Sequence, residues 1–122
     1  MTLRILHVHS SFDRGGKELR SAQLMQAFGR GLHHDIVSAV PGAMGAAAAI
    51  HRSVQVGYPD DFPSLIGKPT PGRLQRIAAA MKPYDLVLTY NWGAINAVMA
   101  HTIFRDFLQL PPLVHHEDGF NE

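Results

Sequence analysis

Short apolar runs alternate with segments of helical periodicity along this sequence, and that alternation limits the possible folds more than any other feature. Five runs predict strands at residues 3–9, 34–40, 53–56, 85–90 and 113–116. None of them alternates polar with apolar residues, which is typical of strands that are buried on both faces. The sequence therefore predicts a doubly wound α/β fold, with a mostly parallel sheet between two helical layers and the first strand at its centre.

Helices are expected between these strands. Periodic apolar positions indicate them at 17–30, 73–81 and 94–108, and an alanine-rich segment at 43–51 predicts a short fourth helix. The residues predicted to face the core are Leu24, Ala27 and Phe28 in the first helix, Leu74, Ile77, Ala78 and Met81 in the second, and Ile95, Val98, Met99, Thr102 and Ile103 in the third. Residues 57–72 contain four prolines and predict an irregular loop.

Composition narrows the class of protein further. The chain has 122 residues, of which 46% are hydrophobic and 17% charged, and its formal net charge is +1 at pH 7. These values are ordinary for a globular domain, and so small a charge gives no reason to expect nucleic acid as a partner. Cysteine is absent, and neither a signal peptide nor a membrane span is expected. We therefore expect a cytoplasmic protein without disulfides.

The loop from Ser10 to Gly16 carries the first candidate site, because it joins the first strand to the first helix. Such a turn directs backbone N–H groups and the positive end of the helix dipole to one point, which suits a phosphate. Gly15 and Gly16 allow a ligand to approach the backbone closely, although a tight turn alone would also explain them. Ser10 and Asp13 can contact a ligand or can cap the helix. The glycine spacing matches neither the dinucleotide fingerprint nor the P-loop.

Two further polar segments follow strands at the same edge of the sheet, where ligands bind in doubly wound folds. Asn91 and Trp92 follow the fourth predicted strand, and His115, His116 and Asp118 lie at and after the fifth. Trp92 can stack on a sugar or can pack within the protein. Adjacent strand residues point to opposite faces, so we expect no metal site at residues 115–118.

Four other histidines lie in or beside predicted strands. His7 and His9 share one face of the first strand, and His9 is the better candidate because it lies nearer the carboxyl end. His33 and His34 open the second strand, and we expect both to be exposed to solvent.

A longer pattern surrounds the Gly-Gly pair. The chain reads Ile5-Leu6-His7-Val8 and then, from residue 11, Ser11-Phe12-Asp13-Arg14-Gly15-Gly16-Lys17-Glu18. This opening resembles the start of family 4 glycosyltransferases, which are retaining enzymes of the GT-B fold with two Rossmann-like domains. The resemblance implies that residues 1–122 form part of the N-terminal, acceptor-side domain. The C-terminal donor-binding domain would then be absent, and the polypeptide would be inactive alone.

The resemblance also implies ligands and residue roles. A nucleotide-sugar donor would bring its pyrophosphate close to Gly15 and Gly16, and no other cofactor is implied. A sugar or lipid-linked acceptor would contact Ser10, Asp13, Asn91 and Trp92. Many members have an active-centre histidine directly before a glycine, but here Asp118 precedes Gly119. His115, His116 and Asp118 therefore all stay candidates for that role.

The resemblance also implies a biosynthetic process and a cellular location. The process is polysaccharide or glycolipid biosynthesis, and the location is either the cytoplasm or the periphery of the inner membrane. An incomplete domain exposes apolar surface, which predicts self-association. The alternative to a glycosyltransferase is a free-standing α/β module that binds a phosphate or nucleotide without catalysis.

Overall fold

The structure is a computed structural model, which describes residues 3–10, 12, 16–29, 31–40, 45–90 and 94–116. The strands are β1 (Leu3–His9), β2 (Leu32–Ser38), β3 (Gln55–Gly57), β4 (Leu86–Tyr90) and β5 (Leu113–His116). The helices are α1 (Gly16–Ala27), α2 (Pro71–Met81) and α3 (Ile95–Leu108), and a 3-10 turn spans Gly45–Ala49. This turn replaces the predicted alanine-rich helix.

The strands form one parallel sheet in the order β3-β2-β1-β4-β5, with β1 at the centre as predicted. Leu6 and Val8 of β1 pack on one face with apolar residues of α2 and α3. Met25 of α1 packs on the other face against Ile36 of β2. Helices therefore cover both faces, and the predicted doubly wound, Rossmann-like α/β fold is confirmed.

Helix α2 follows its sequence signals closely. The Thr70 hydroxyl accepts a hydrogen bond from the Arg73 backbone N–H at 3.4 Å, and Pro71 occupies the first turn, where its missing N–H costs nothing. The four residues predicted to face the core are all buried: Leu74, Ile77, Ala78 and Met81. Periodicity and capping agree in this helix, and the prediction is confirmed.

The predicted core face of α1 is wrong, and that of α3 is only partly right, since Met99 packs on the core. In α1, Leu24 and Phe28 are 42% and 49% exposed, whereas Ser21, Ala22 and Met25 are buried. In α3, Ile103 is 60% exposed, and the buried residues are Asn96, Ala97, Ala100 and His101. Small and polar residues make up most of both buried faces, so a pattern based on large apolar side chains does not identify them.

The buried polar residues of α3 are satisfied by backbone carbonyls. The Asn96 side-chain amide donates to the carbonyls of Leu65 and Gly67 at 3.0 and 3.1 Å. His101 Nε2 donates to the Pro111 carbonyl at 2.6 Å. Because burial without a partner would be costly, these bonds explain how two polar side chains occupy the helix interface. They also attach α3 to the 58–70 segment and to the approach of β5.

On the α2–α3 face of the sheet, Asp35 forms the centre of a polar cluster. Its carboxylate accepts hydrogen bonds from Tyr84 Oη at 2.6 Å and from His33 Nε2 at 2.8 Å, and Arg4 lies 3.5 Å away. Asp35 is only 7% exposed, so these partners offset the cost of burying a charge. Burial raises the pKa of Tyr84, and the hydrogen bond to Asp35 raises it further.

A substitution at Gly57 tests this cluster. A Cβ atom there would lie 2.5 Å from Asp35 Oδ1, so Gly57→Ala must displace the buried carboxylate. We expect the free energy of unfolding to fall by roughly 1–3 kcal/mol in urea denaturation followed by circular dichroism.

Gly72→Ala is the matched control. Its Cβ would have Arg76 Nη1 as nearest neighbour at 3.9 Å, and it lies in the first turn of α2. We expect it to be neutral or to stabilise the protein by up to about 1 kcal/mol. Equal unfolding midpoints for the two variants would contradict the proposed role of Asp35 packing.

Candidate functional site

The last residues of four neighbouring strands form one row at the carboxyl edge of the sheet. His9 of β1 is in register with Ser38 of β2 on one side and with Tyr90 of β4 on the other. Tyr90 is in turn in register with His116 of β5. In-register residues of parallel strands point to the same face, so this row projects toward the face that α1 covers. Ligands bind at this edge in doubly wound folds.

Three rings of this row form a stack, which we call the ring row (His9, Tyr90 and His116). The Tyr90 ring lies 4.1 Å from that of His9 and 4.8 Å from that of His116, with interplanar angles of 5° and 12°. These distances are close to the strand spacing of about 4.7–4.9 Å, so the register itself produces the stack. His9 and Tyr90 are buried, and His116 is half-buried at the open end.

Hydrogen bonds extend the ring row into the sheet. Tyr90 Oη lies 3.0 Å from His7 Nδ1, and His7 Nε2 lies 2.8 Å from His34 Nδ1. A hydrogen bond between two ring nitrogens contains one proton, so at least one of the two rings must be neutral. Burial lowers the pKa of His7 well below its ordinary value, and the charges of His34, His9 and His116 lower it further. Burial therefore favours the uncharged form of His7, His9 and His34.

His34 corrects a prediction. It was expected to be exposed at the start of the second strand, but β2 begins earlier, at Leu32, and His34 is only 1% exposed. Its ring also stacks on Phe28 of α1 at 6.5 Å. Burial lowers its pKa, and His33 lowers it further by charge repulsion.

His9 is the most unusual member of the ring row. Burial lowers its pKa to about 3, with a smaller contribution from His116. Within the described residues, three buried side-chain atoms have no hydrogen-bond partner: His9 Nε2, His34 Nε2 and Ser21 Oγ. Buried polar atoms are nearly always bonded to protein or water, so an unpartnered nitrogen at a ligand-binding edge indicates a place for a ligand or water. This agrees with the preference for His9 over His7.

His115 and His116 lie on opposite faces of β5, as adjacent strand residues must. His115 Nδ1 is 2.7 Å from the hydroxyl of Thr89, its in-register neighbour. His116 Nδ1 donates to the Thr89 backbone carbonyl at 3.3 Å. In the part of the chain that the structure describes, His116 Nε2 has no hydrogen-bond partner. Such a nitrogen can accept a proton or a hydrogen bond from a substrate hydroxyl.

The first candidate loop begins beside the ring row and leads into α1. Ser10 Oγ donates to the Tyr90 carbonyl at 3.2 Å, so its proton ties the end of β1 to the end of β4 instead of capping α1. Gly16 is the first residue of α1, which places this helix N-terminus directly after the loop from β1. The backbone N–H groups of that first turn have no partner within the helix and suit an anion.

The other candidate residues lie outside the described part of the chain. These are Asp13, Gly15, Asn91, Trp92 and Asp118. Sequence reasoning missed Tyr90 and His34 as members of the site. A usable signal existed for Tyr90, because it ends a predicted strand as His9 and His116 do. His34 offered none, since its burial depends on where β2 begins.

These features define a parallel α/β protein with a polar, partly unsatisfied site at the carboxyl edge of its sheet. Comparisons with protein-family models, with curated proteins and with solved structures found no match. No cluster of three or more potential metal ligands occurs among the described residues. None of the described helices is both long and apolar enough to cross a bilayer.

The buried histidines predict an acid-sensitive fold. The pKa values of His7, His9 and His34 in the folded chain are lower than the ordinary value of 6.5. Below pH 6.5 the unfolded chain therefore binds more protons than the folded chain does. The contribution of these histidines to stability is complete above pH 6.5 and is lost as the pH falls from there toward their pKa values in the folded chain. We expect the free energy of unfolding to fall between about pH 6.5 and pH 5, by about 1.4 kcal/mol per pH unit for each fully linked group.

His9→Phe isolates one of these groups, because it keeps a ring beside Tyr90 but cannot bind a proton. Urea unfolding at several pH values should show a slope that is shallower by about 1.4 kcal/mol per pH unit than in the unchanged protein. His51→Phe, at an exposed position outside the cluster, is the control. An unchanged slope in His9→Phe would show that His9 is already charged in the folded protein.

Proposed function

We propose that this chain is the acceptor-side part of a retaining glycosyltransferase that uses a nucleotide-sugar donor. One observation carries the proposal: the N-terminus of α1 and the ring row lie at the same edge and on the same face of the sheet. The first can bind phosphate, and the second offers imidazole nitrogens as hydrogen-bond partners for a hydroxyl. The opening motif through Gly15 and Gly16 supports the same assignment by its resemblance to family 4 enzymes.

The reaction would exchange one bond at the anomeric carbon. The bond from this carbon to the phosphate oxygen breaks, and the nucleoside diphosphate leaves with the electron pair. The acceptor oxygen bonds to the same face of the carbon, and its proton passes to the leaving phosphate. Backbone N–H groups at Gly15 and Gly16 would stabilise the charge that develops on that phosphate. No protein nucleophile is required by this scheme.

His116 is the histidine that we propose for the active centre. Its Nε2 has no hydrogen-bond partner among the described residues, whereas His115 is bonded to Thr89 on the other face of the sheet. Nε2 would accept a hydrogen bond from a substrate hydroxyl and hold it in position. His9 would add a second, buried imidazole behind Tyr90, and Ser10 and Asp13 would complete the acceptor side with Asn91 and Trp92.

The decisive test is the coding sequence downstream of Glu122. We expect it to continue into a second Rossmann-like domain, and the longer polypeptide should release nucleoside diphosphate from one member of a nucleotide-sugar panel when an acceptor is added. A stop codon after Glu122, together with nucleotide binding by the chain alone, would favour the free-standing phosphate-binding module. Absence of both transfer and nucleotide binding would refute both functions.

Gly16→Val tests the phosphate role in the longer polypeptide. A side chain at the first residue of α1 would keep the donor phosphates away from the backbone N–H groups. Loss of one such donor costs about 2.7–4 kcal/mol, or roughly 10²–10³ in rate. Turnover and melting temperature are measured on the same preparation, with Gly72→Ala as the control. Full activity per folded molecule would refute the role.

His116→Phe tests the assignment of the active histidine. Phenylalanine retains a ring beside Tyr90 but removes both nitrogens, so we expect turnover to fall roughly 10²-fold with little change in melting temperature. His115→Phe makes the same chemical change at the neighbouring position on the opposite face. Equal losses of turnover in the two variants would contradict the assignment to His116.

A further inference from the structure

A pocket of about 440 Å³ lies beyond the carboxyl ends of β2 and β3. One wall is the end of β2 and the residues after it, 36–40, and the other is the segment 58–65 that follows β3. Small-molecule sites typically measure about 300–1,000 Å³ and lie at this edge of doubly wound sheets. The pocket thus has the size and place of a ligand site, but none of its residues was among the sequence candidates.

Both walls are held by hydrogen bonds. The backbone N–H groups of Ala39 and Val40 donate to the carbonyls of His9 and Ser10, at 2.8 and 3.2 Å. On the other side, the buried Asn96 amide donates to the Leu65 carbonyl at 3.0 Å. These bonds fix the backbone of both walls relative to the neighbouring elements. They also attach one wall to the end of β1, where the ring row and the candidate phosphate loop begin.

The lining combines an apolar floor with a polar, aromatic rim. Ile36, Val37, Ala39 and Leu65 are buried beneath it. Tyr58 and Phe62 contribute rings, Asp60 contributes a carboxylate, and Ser38 and Ser64 contribute hydroxyls. No lysine, arginine or histidine is among the lining residues that the structure describes. Burial raises the pKa of Tyr58, so its hydroxyl stays protonated and can donate to a ligand.

This chemistry distinguishes between classes of ligand. A phosphate or other anion would meet a carboxylate and no cationic partner, which is unfavourable. A pyranose has apolar C–H faces that pack on aromatic rings and hydroxyls that a carboxylate accepts from. We propose that the pocket binds an uncharged pyranose, and that this sugar is the acceptor of the transfer reaction. The acceptor role rests on the proposed function, whereas binding itself does not.

Binding is tested on the chain itself. The probes are the methyl glycosides of glucose, galactose, mannose and N-acetylglucosamine, with glucose 1-phosphate as the anionic comparison. Isothermal titration and saturation-transfer NMR should show binding of at least one neutral glycoside, about tenfold or more tighter than glucose 1-phosphate. Failure of every neutral glycoside to bind the folded chain would overturn the proposal, as would equal or tighter binding of glucose 1-phosphate.

Substitutions of pocket residues test whether the glycoside binds in the pocket. Tyr58→Ala and Asp60→Asn should each weaken the bound glycoside about tenfold, and Asp60→Lys should shift the preference toward glucose 1-phosphate. Tyr58 is 44% exposed, so its truncation leaves the core intact, as circular dichroism can verify. Phe107→Ala removes an aromatic ring that is 78% exposed on α3, away from the pocket, and is the control. Undiminished binding in both Tyr58→Ala and Asp60→Asn would overturn the proposal.

Assays of the longer polypeptide distinguish the sugar-binding pocket from the glycosyltransferase proposal. Glycoside binding without any sugar transfer would leave the pocket in place and refute the glycosyltransferase. Sugar transfer with an acceptor KM that Tyr58→Ala leaves unchanged would support the glycosyltransferase and overturn the pocket as its acceptor site.

Discussion

The in-register pairing of β1 with its two neighbours determines the rest of this structure. All seven residues of β1 pair with β2, from Leu3 opposite Leu32 to His9 opposite Ser38, and the last five also pair with β4. Because the strands are parallel and end together, their final side chains must lie side by side on one face. The ring row is therefore a result of register. A shift of one residue in β1 would move His7 and His9 to the α2–α3 face and Leu6 and Val8 beneath α1.

The burial of three histidines costs free energy that apolar side chains would not cost. His7, His9 and His34 must give up their charge to be buried, and two of them keep a nitrogen without a described partner. Apolar side chains of similar size would fill the same space without that cost. The Asp35 cluster on the α2–α3 face of the sheet is different, since its carboxylate has Tyr84, His33 and Arg4 as partners. The unpartnered His9 Nε2 lies at the carboxyl edge, where a site built to receive a ligand would leave such an atom.

Local signals in the sequence predict the helices and strands well, but they fail where packing between distant segments decides which residues are buried. β1 and β5 have the predicted bounds, and the core face of α2 is right, because periodicity and capping act within a few residues. The face of α1 and much of that of α3 are wrong because small or polar residues are buried there. In α3, hydrogen bonds from Asn96 and His101 to distant carbonyls support this burial. The burial of His34 and the stacking of Tyr90 depend on register. Register is set between strands up to eighty residues apart in sequence and leaves no local trace.

The ring row and the pocket are neighbours at the carboxyl edge of the sheet, and they share a short piece of backbone. Ser38 in the pocket wall is in register with His9, whereas Val37 and Ala39 in the same wall belong to the core beneath α2 and α3. The connection is the carbonyl pair of His9 and Ser10, which accepts the N–H groups of Ala39 and Val40. Both hydrogen bonds are between backbone groups, so they fix the ends of β1 and β2 relative to each other independently of the side chains at these positions. The end of β1 thus sets the position of the imidazoles, of the start of the phosphate loop and of one pocket wall together.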